Sequence, residues 1–500
     1  MDASTKGNVE PKESTTNGSV TVEGHAISYR AVAGTLTLKN AKDEPAASMF
    51  YVAYFQNGAP TAGRPITFFY NGGPGAPAAY LHMGAFGPMR ARIADIAHAP
   101  PPPYPLVNND YSLLDATDMV FIDAPGTGYS RVLTPDLGGK GDTKDYYGID
   151  EDGRAFSAFI QKFLSKYGRW NSPKYLFGES YGGMRSSVLA LDLENASVDL
   201  NGVILLSAEL NIAMRPDLES TNPSIDVPYA LNFPSQAAIA WYHGKVMNKP
   251  TKLEDFLAQA EKFAMGDYLT ALNAGTTLDP AAKRHIAEEM HAYDGLPVDY
   301  LLKANLRVDD AQFAHELLSD SGELTGYYDG RFTGAALDPL NEYADHDPLT
   351  DAVDSAYNSA QLDYLHGTLK FDADETYIPF NTDLNRNFDH WNYKHVEPGV
   401  GQAIPNGTNV LPDLAAAMSE NPRLKLLLNT GYYDLALPFY GEVFQLQHLP
   451  MDDRLQANIS YAFYPTGHMM YDSETSLKAL HDNVARFIVA SHSAPASAGP

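Results

Sequence analysis

Lys174-Tyr175-Leu176-Phe177-Gly178-Glu179-Ser180-Tyr181-Gly182-Gly183-Met184 decides the fold. A short apolar run stops at a glycine, and a serine between small residues follows. An apolar helical pattern begins at once, over Met184 to Leu193. Gly-x-Ser-x-Gly in this setting describes a sharp strand-to-helix turn that presents a hydroxyl at the rim of a sheet. Without the setting the letters would mean little, because a glycine-rich helix start can carry them by chance.

Other runs support a sheet. Ile66 to Tyr70, Met119 to Ile122 and Gly202 to Leu206 are short, continuously apolar and bounded by glycine or proline, as buried parallel strands are. Between the second run and Lys174 lies Asp150 to Tyr167. Its apolar residues Phe156, Phe159, Ile160, Phe163 and Leu164 fall on one helical face. Alternating strand and helix indicates an α/β domain. Before it, Val20–Val22, Ile27–Val32, Thr35–Leu38 and Met49–Gln56 alternate as antiparallel strands do. From about Asn211 to Phe380 helical segments replace strands, and the alternation returns at Leu424 to Asn429 and Ile459 to Tyr464. The expected division is a disordered lead-in (1–20), a first core part (21–210), a mainly helical lid (211–380), a second core part (381–490) and a disordered tail (491–500).

Composition narrows the classes. The chain has 500 residues, with 35 Lys and Arg against 62 Asp and Glu, a net charge of −27. That sign argues against nucleic acid and anionic membrane surfaces as partners, since both need clustered cations. No cysteine is present, so disulfides, thiolate metal sites and cysteine nucleophiles are excluded. No run of 18 apolar residues suggests membrane insertion. The opening stretch lacks the apolar centre of a signal peptide. The expectation is a mature periplasmic or extracellular chain, with a cytoplasmic location left open. Oligomeric state is open too, a homodimer included.

A serine hydroxyl needs a base, and the base needs an orienting carboxylate. Asp434 follows Leu424 to Asn429, and His468 follows Ile459 to Tyr464, so both stand after strands and in the order Ser, Asp, His. An oxyanion hole needs two backbone N–H groups. Tyr181 supplies one, and Gly73 in Asn71-Gly72-Gly73-Pro74-Gly75 the other. His285 and His291, six residues apart, lie about 120° off one helical face and do not read as a metal pair. No metal or cofactor is expected.

Four motifs carry a resemblance. Phe69-Tyr70-Asn71-Gly72-Gly73-Pro74-Gly75, Asp123-Ala124-Pro125-Gly126-Thr127-Gly128-Tyr129-Ser130, Gly178-Glu179-Ser180-Tyr181-Gly182-Gly183 and Gly467-His468-Met469 resemble, in order, those of the serine carboxypeptidases. Gly84-Ala85-Phe86-Gly87-Pro88, Ala240-Trp241-Tyr242-His243-Gly244-Lys245 and Asp329-Gly330-Arg331-Phe332-Thr333-Gly334 look like the bacterial members. The resemblance implies an α/β-hydrolase fold: a central, mostly parallel twisted sheet with helices on both faces and a mainly helical lid. It implies release of a C-terminal amino acid through an acyl-enzyme on Ser180, with His468 as base and Asp434 orienting it. It implies a peptide substrate with a free C-terminus, held by Asn71 and Glu179. Gly72, Tyr129 and Met469, inside the motifs, are expected at the same pocket, with the Tyr181 ring. A carboxyl side chain can hydrogen-bond a carboxylate only if one of the two is protonated, so acid pH should favour peptides.

The chain departs from the family pattern at Ala85, where a second Glu commonly stands, and at Phe69, Ala76 and Met469. The missing Glu leaves strict exopeptidase action open. An esterase or acyltransferase would use the same triad, and a catalytically silent binding protein is a further alternative. For Glu179 the competing reading is a strand-end residue paired with Arg185.

Overall fold

In the computed structural model, the described residues are 10–492 except 94, 217–222, 248, 373–374, 387–389 and 404–407. The expected tail from 493 on and residues 1–9 of the expected lead-in lie outside them.

The strands of the main sheet are β1 (Glu13–Val22), β2 (His25–Lys39), β3 (Pro45–Gln56), β4 (Ile66–Tyr70), β5 (Asp118–Ile122), β6 (Lys174–Ser180), β7 (Gly202–Ala208), β8 (Lys425–Gly431) and β9 (Ile459–Tyr464). Their spatial order is β1-β2-β3-β5-β4-β6-β7-β8-β9, and a two-residue strand, Arg131–Val132, pairs with β3. β1 to β3 and the β3–β5 pair are antiparallel; from β5 to β9 every pairing is parallel. β4, β5 and β7 are buried at every residue, which explains their unbroken apolar runs. Both outer parallel neighbours of β4 are fixed in register, with Phe69 opposite Phe121 on one side and Phe177 on the other.

The expected lead-in is corrected in part. Residues 13–20 belong to β1, which pairs along its whole length with β2, Glu13 opposite Gly34 and Val22 opposite His25. Its Ser and Thr side chains gave it the composition of a disordered segment. Its backbone, however, has a long partner, and Ser14 Oγ donates to Leu369 O at 2.6 Å. Residues 491–492, assigned to the tail, complete the terminal helix.

Helices cover both faces of the sheet. On one lie α1 (Ile149–Tyr167) and α2 (Gly182–Asn195). The five apolar residues of α1 picked out by spacing are all fully buried. They share a core with Phe68, Leu176, Leu189 and Leu205. Joining α1 to α2 is an ion pair out of contact with water, Arg185 Nε donating to Asp152 Oδ2 at 2.6 Å. A buried pair of this kind costs desolvation, and Asp152 Oδ1 and Arg185 Nη2 have no hydrogen-bond partner among the described residues.

Between β7 and β8 the intervening segment is mainly helical, and it divides. Its first part contains α3 (Val227–Tyr242), α4 (Leu253–Phe263) and α5 (Pro280–Asp294), which build their own apolar cluster. Asp279 caps α5 through the N–H groups of Ala281 and Ala282, ahead of Pro280. Its later part, α6 (Pro348–Asp363), packs on the opposite face of the sheet from α1. There Leu349, Val353 and Tyr357 join Leu81, Phe86 and Ile488 in one core. The chain then returns through α7 (Leu411–Glu420), α8 (Phe439–Gln447) and the terminal α9 (Glu474–His492). None of the described helices is long and apolar enough to cross a membrane.

Phe159 is the test of the α1 contact, since its ring lies 5.7 Å from Tyr51 and 6.0 Å from Phe163. Phe159→Ala is expected to lower stability by about 3–5 kcal/mol, read from the shift of the urea midpoint.

Candidate active site

β6 enters the elbow with Ser180 at φ 63°, the left-handed region that serine rarely adopts. The residues around it make that conformation possible. A methyl group on Gly178 would lie 2.2 Å from Gly182 O and 2.4 Å from Ser186 Oγ, so α2 could not start where it does. Glu209 N donates to Ser180 O at 3.0 Å and continues the β6–β7 pairing past the turn. Against this elbow lies the loop after β4. A methyl on Gly72 would sit 2.4 Å from Tyr181 N and 2.8 Å from Glu179 O. Neither Gly73 N–H nor Tyr181 N–H is spent on a hydrogen bond among the described residues. Two free amides on adjoining loops have the character an oxyanion hole requires.

Asp434 and His468 come from the loops after β8 and β9. Asp434 is fully buried; its Oδ2 lies 2.8 Å from His468 Nδ1, and its Oδ1 accepts Leu437 N at 3.0 Å. A carboxylate accepts, so Nδ1 carries the proton and Nε2 is the free nitrogen. Burial pulls the His468 pKa down. The charge and hydrogen bond of Asp434, with Glu179 adding to them, outweigh that and leave it above its ordinary value. Ser180 Oγ has no hydrogen-bond partner among the described residues. The link between the serine and histidine loops runs through β7, where Ser207 Oγ donates to His468 O at 3.1 Å and Ala208 is in register with Ser180. Catalytic hydrogen bonds in empty sites often close only around substrate.

Glu179 does not pair with Arg185, whose guanidinium is taken by Asp152 and by Asn71 O at 2.6 Å. Instead Asn71 Nδ2 donates to Glu179 Oε2 at 2.8 Å, and Asn71 Oδ1 is fixed by Leu81 N at 3.2 Å. Tyr471 OH donates to both carboxyl oxygens, at 2.9 and 3.1 Å. Glu179 is 2% exposed. Burial pushes its pKa up to about 7, against the opposing pull of His468, Tyr471 and Asn71.

Three side chains expected at the pocket are packed into apolar clusters. The Tyr181 ring turns away from the elbow and packs in a small cluster with Met184, Val188 and Trp391, edge-on to the indole at 5.5 Å. Tyr129 is enclosed by Phe50, Phe371 and Tyr377, and its hydroxyl meets His366 Nε2 at 3.1 Å. Its described contacts include none of Ser180, Asp434 and His468. Met469, beside His468, is buried in the core.

Sequence reasoning missed a clamp from the insertion. Tyr328 O accepts His468 N at 2.7 Å, Asp329 Oδ2 accepts Gly467 N at 2.9 Å, and Tyr327 O accepts Leu435 N at 3.1 Å. The Tyr328 ring leans on the imidazole, 5.0 Å between centroids. Asp329 was noticed only as part of a family-like segment. Tyr471 gave no signal beyond its place three residues after His468.

The chain is similar to known proteins over part of this site. Residues 23–216 match the family model described as serine carboxypeptidase. The stretch contains Asn71, Gly73, Glu179 and Ser180 but neither Asp434 nor His468, which the fold brings to the same sheet rim. A protein named carboxypeptidase Y homolog from Arthroderma benhamiae is 28% identical over 186 residues, 36% of this chain and 32% of that one. Serine carboxypeptidase-like 36 from Arabidopsis thaliana is 27% identical over 183 residues, 35% of each. The chain thus spans about a third of the length of these curated relatives. They are fungal and plant proteins, and the likeness to bacterial members stays with the motifs alone. A solved structure of a prohormone-processing carboxypeptidase from Saccharomyces cerevisiae covers 92% of this chain and 91% of its own, with a TM-score of 0.55 at 15% identity. The sheet order, the helices on both faces and this likeness give the α/β-hydrolase fold.

Gly72 is the sharpest test of the hole. Gly72→Ala is expected to slow the reaction of Ser180 with a fluorophosphonate more than tenfold, because the new methyl must push Tyr181 N away; labelling rates of the two proteins check this.

Proposed function

We propose that this protein is a serine-type carboxypeptidase that releases C-terminal amino acids through an acyl-enzyme. The observation that carries the reading is the buried Glu179 carboxyl, hydrogen-bonded by Asn71 and adjoining the elbow serine. An ordinary ester hydrolase has no use for a second acid there. A peptidase that must recognise a free C-terminus has.

In this reading Ser180 Oγ attacks the last peptide carbonyl while His468 Nε2 takes its proton. Asp434 holds the imidazole and stabilises the imidazolium. The amides of Gly73 and Tyr181 receive the charge that develops on the carbonyl oxygen. The imidazolium gives its proton to the leaving amino acid, and water, activated by the same base, releases the acyl group. Asn71 and protonated Glu179 hydrogen-bond the substrate's carboxylate. The names of the fungal and plant relatives agree with this assignment.

The pH dependence follows from two groups with opposite requirements. His468 works neutral, so activity fails on the acid side as the imidazole protonates. Glu179 works protonated, so free-carboxylate peptides fail as pH rises through about 7 and the ionised side chain repels them. Esters without a free carboxylate should show only the acid limb. Glu179→Gln, which keeps a donor at every pH, is expected to abolish the alkaline limb for peptides. Steady-state kcat/KM from pH 4.5 to 9 decides it, and an unchanged alkaline limb would refute the role of Glu179. Mass spectrometry of a peptide ladder tests the activity itself: losses of one residue at a time from the C-terminus are expected, and internal cuts would contradict the reading.

A further inference from the structure

Tyr471 is a buried phenol whose hydroxyl is directed wholly at Glu179, 2.9 Å from Oε1 and 3.1 Å from Oε2. Its ring has no room to move. A methyl on Gly84 would stand 2.7 Å from Cδ2 and 2.8 Å from Cε2 of that ring, so the chain at residues 81–86 closes directly onto it. On another side Tyr357 of α6 packs at 6.1 Å between centroids, and its own hydroxyl is tied to Asp472, the next residue. One rotamer is therefore imposed from two elements far apart in sequence. Asn71 reaches only Oε2, which leaves Oε1 with the phenol as its hydrogen-bond partner.

We infer that Tyr471 is a positioning residue for the C-terminal carboxylate site: it locks the Glu179 carboxyl so that the proton on Oε1 faces the substrate, and it supplies from the far end of the chain the second group that Ala85 does not. This rests on the reading of Glu179 as the carboxylate-binding group. When Glu179 is protonated, the phenol orients it. When Glu179 is ionised, the phenol donates to the anion and favours it. The same hydroxyl thereby sets both the geometry of binding and the pH at which binding is lost.

The groups facing Glu179 are His468 and Asp434 from the loops after β9 and β8, Asn71 from the loop after β4, Tyr80 beside residues 81–86, Tyr357 from α6, and Tyr471 with Asp472. Among the described residues, Asn71 and Tyr471 hydrogen-bond its side chain. Removing the Tyr471 hydroxyl leaves every charge in place and withdraws one donor from the ionised form.

The experiment measures KM and kcat of Tyr471→Phe and the unaltered protein from pH 4.5 to 9. The substrates are a blocked dipeptide with a free C-terminal carboxylate, the same dipeptide as its C-terminal amide, and the matching ester. For the free acid, the alkaline limb should move up by about one pH unit, because the anion has lost a donor. KM at pH 5 should rise roughly five- to twentyfold with a smaller change in kcat, and the preference for free acid over amide should narrow. A limb and KM that stay where they were, in a protein that still prefers the free acid, would overturn the inference alone. An unaltered protein with no preference for the free acid would overturn the Glu179 reading and the inference with it. Fluorophosphonate labelling of Ser180 reports whether the variant has folded. If it has not, Gly84→Ala, which keeps the hydroxyl and displaces the ring, carries the test. It should raise KM for the free acid and narrow the same preference, and the absence of both effects would overturn the inference.

Discussion

The site depends on one strained residue. Ser180 at φ 63° is held in a conformation that costs a serine of the order of 1–3 kcal/mol, and the surrounding structure must impose it. β6 does so because it lies between β4 and β7, paired in parallel on both sides, and cannot slide to relax the turn. The elbow then becomes the point to which the other parts are fitted. The glycine loop after β4 approaches it so closely that a single methyl would collide with Tyr181 N. The histidine loop is fastened to β7 one strand away. A sheet with parallel strands at this place puts the C-terminal ends of β4, β6, β8 and β9 at the same rim, which is why four loops from distant parts of the chain can meet.

A second constraint is electrostatic. The protein carries a net charge of −27, and it also buries acids at its centre: Glu179, Asp434, Glu442 and Asp123 are all 4% exposed or less. Cations are not what holds them. Glu179 has an amide and a phenol, Asp434 an imidazole and a backbone N–H, Glu442 the Thr430 hydroxyl and Ala208 N, and Asp123 the N–H groups of Ala78 and Tyr129. At three of the four, burial outweighs these donors. It raises Glu179 and Asp123 to about 7 and Glu442 well above the ordinary carboxyl range. An acid kept protonated near neutrality can donate to another carboxylate, whereas one paired with arginine could not. Arg185 is committed to Asp152 and to the backbone of Asn71, and Glu179 takes its hydrogen bonds from Asn71 and Tyr471 instead.

Much of this was legible from local pattern. The helical spacing of Phe156 to Leu164, the elbow around Ser180 and the strand ends before Asp434 and His468 are each written within a dozen residues, where periodicity and turn chemistry act directly. What escaped depends on partners far away. β1 looks like a solvated segment because half of a one-sided edge strand is polar, and only the length of β2 beside it reveals the strand. The residues of α6 read as part of the lid, yet they share the core on the face of the sheet opposite α1. Tyr129 and the Tyr181 ring were expected at the pocket because their neighbours are there. The tight turns that expose a backbone amide drive the adjoining side chain the opposite way, into packing. Tyr471 was silent because a tyrosine after a histidine motif carries no spacing signal, and its meaning comes only from the carboxyl it touches.

The clamp formed by Tyr327, Tyr328 and Asp329 adds a coupling that neither the core nor the insertion has alone. These three residues belong to the inserted segment, but their backbone and carboxylate atoms accept hydrogen bonds from Leu435, His468 and Gly467. Asp329 is itself held by Arg331, Nη2 to Oδ2 at 2.6 Å, so the clamp is stiff. Both loops that carry His468 and Asp434 are thus referenced to the insertion as well as to the sheet. A displacement of residues 327–329 would pull on the backbone that carries Leu435, Gly467 and His468. The insertion therefore shares in setting the backbone on either side of the His468–Asp434 contact.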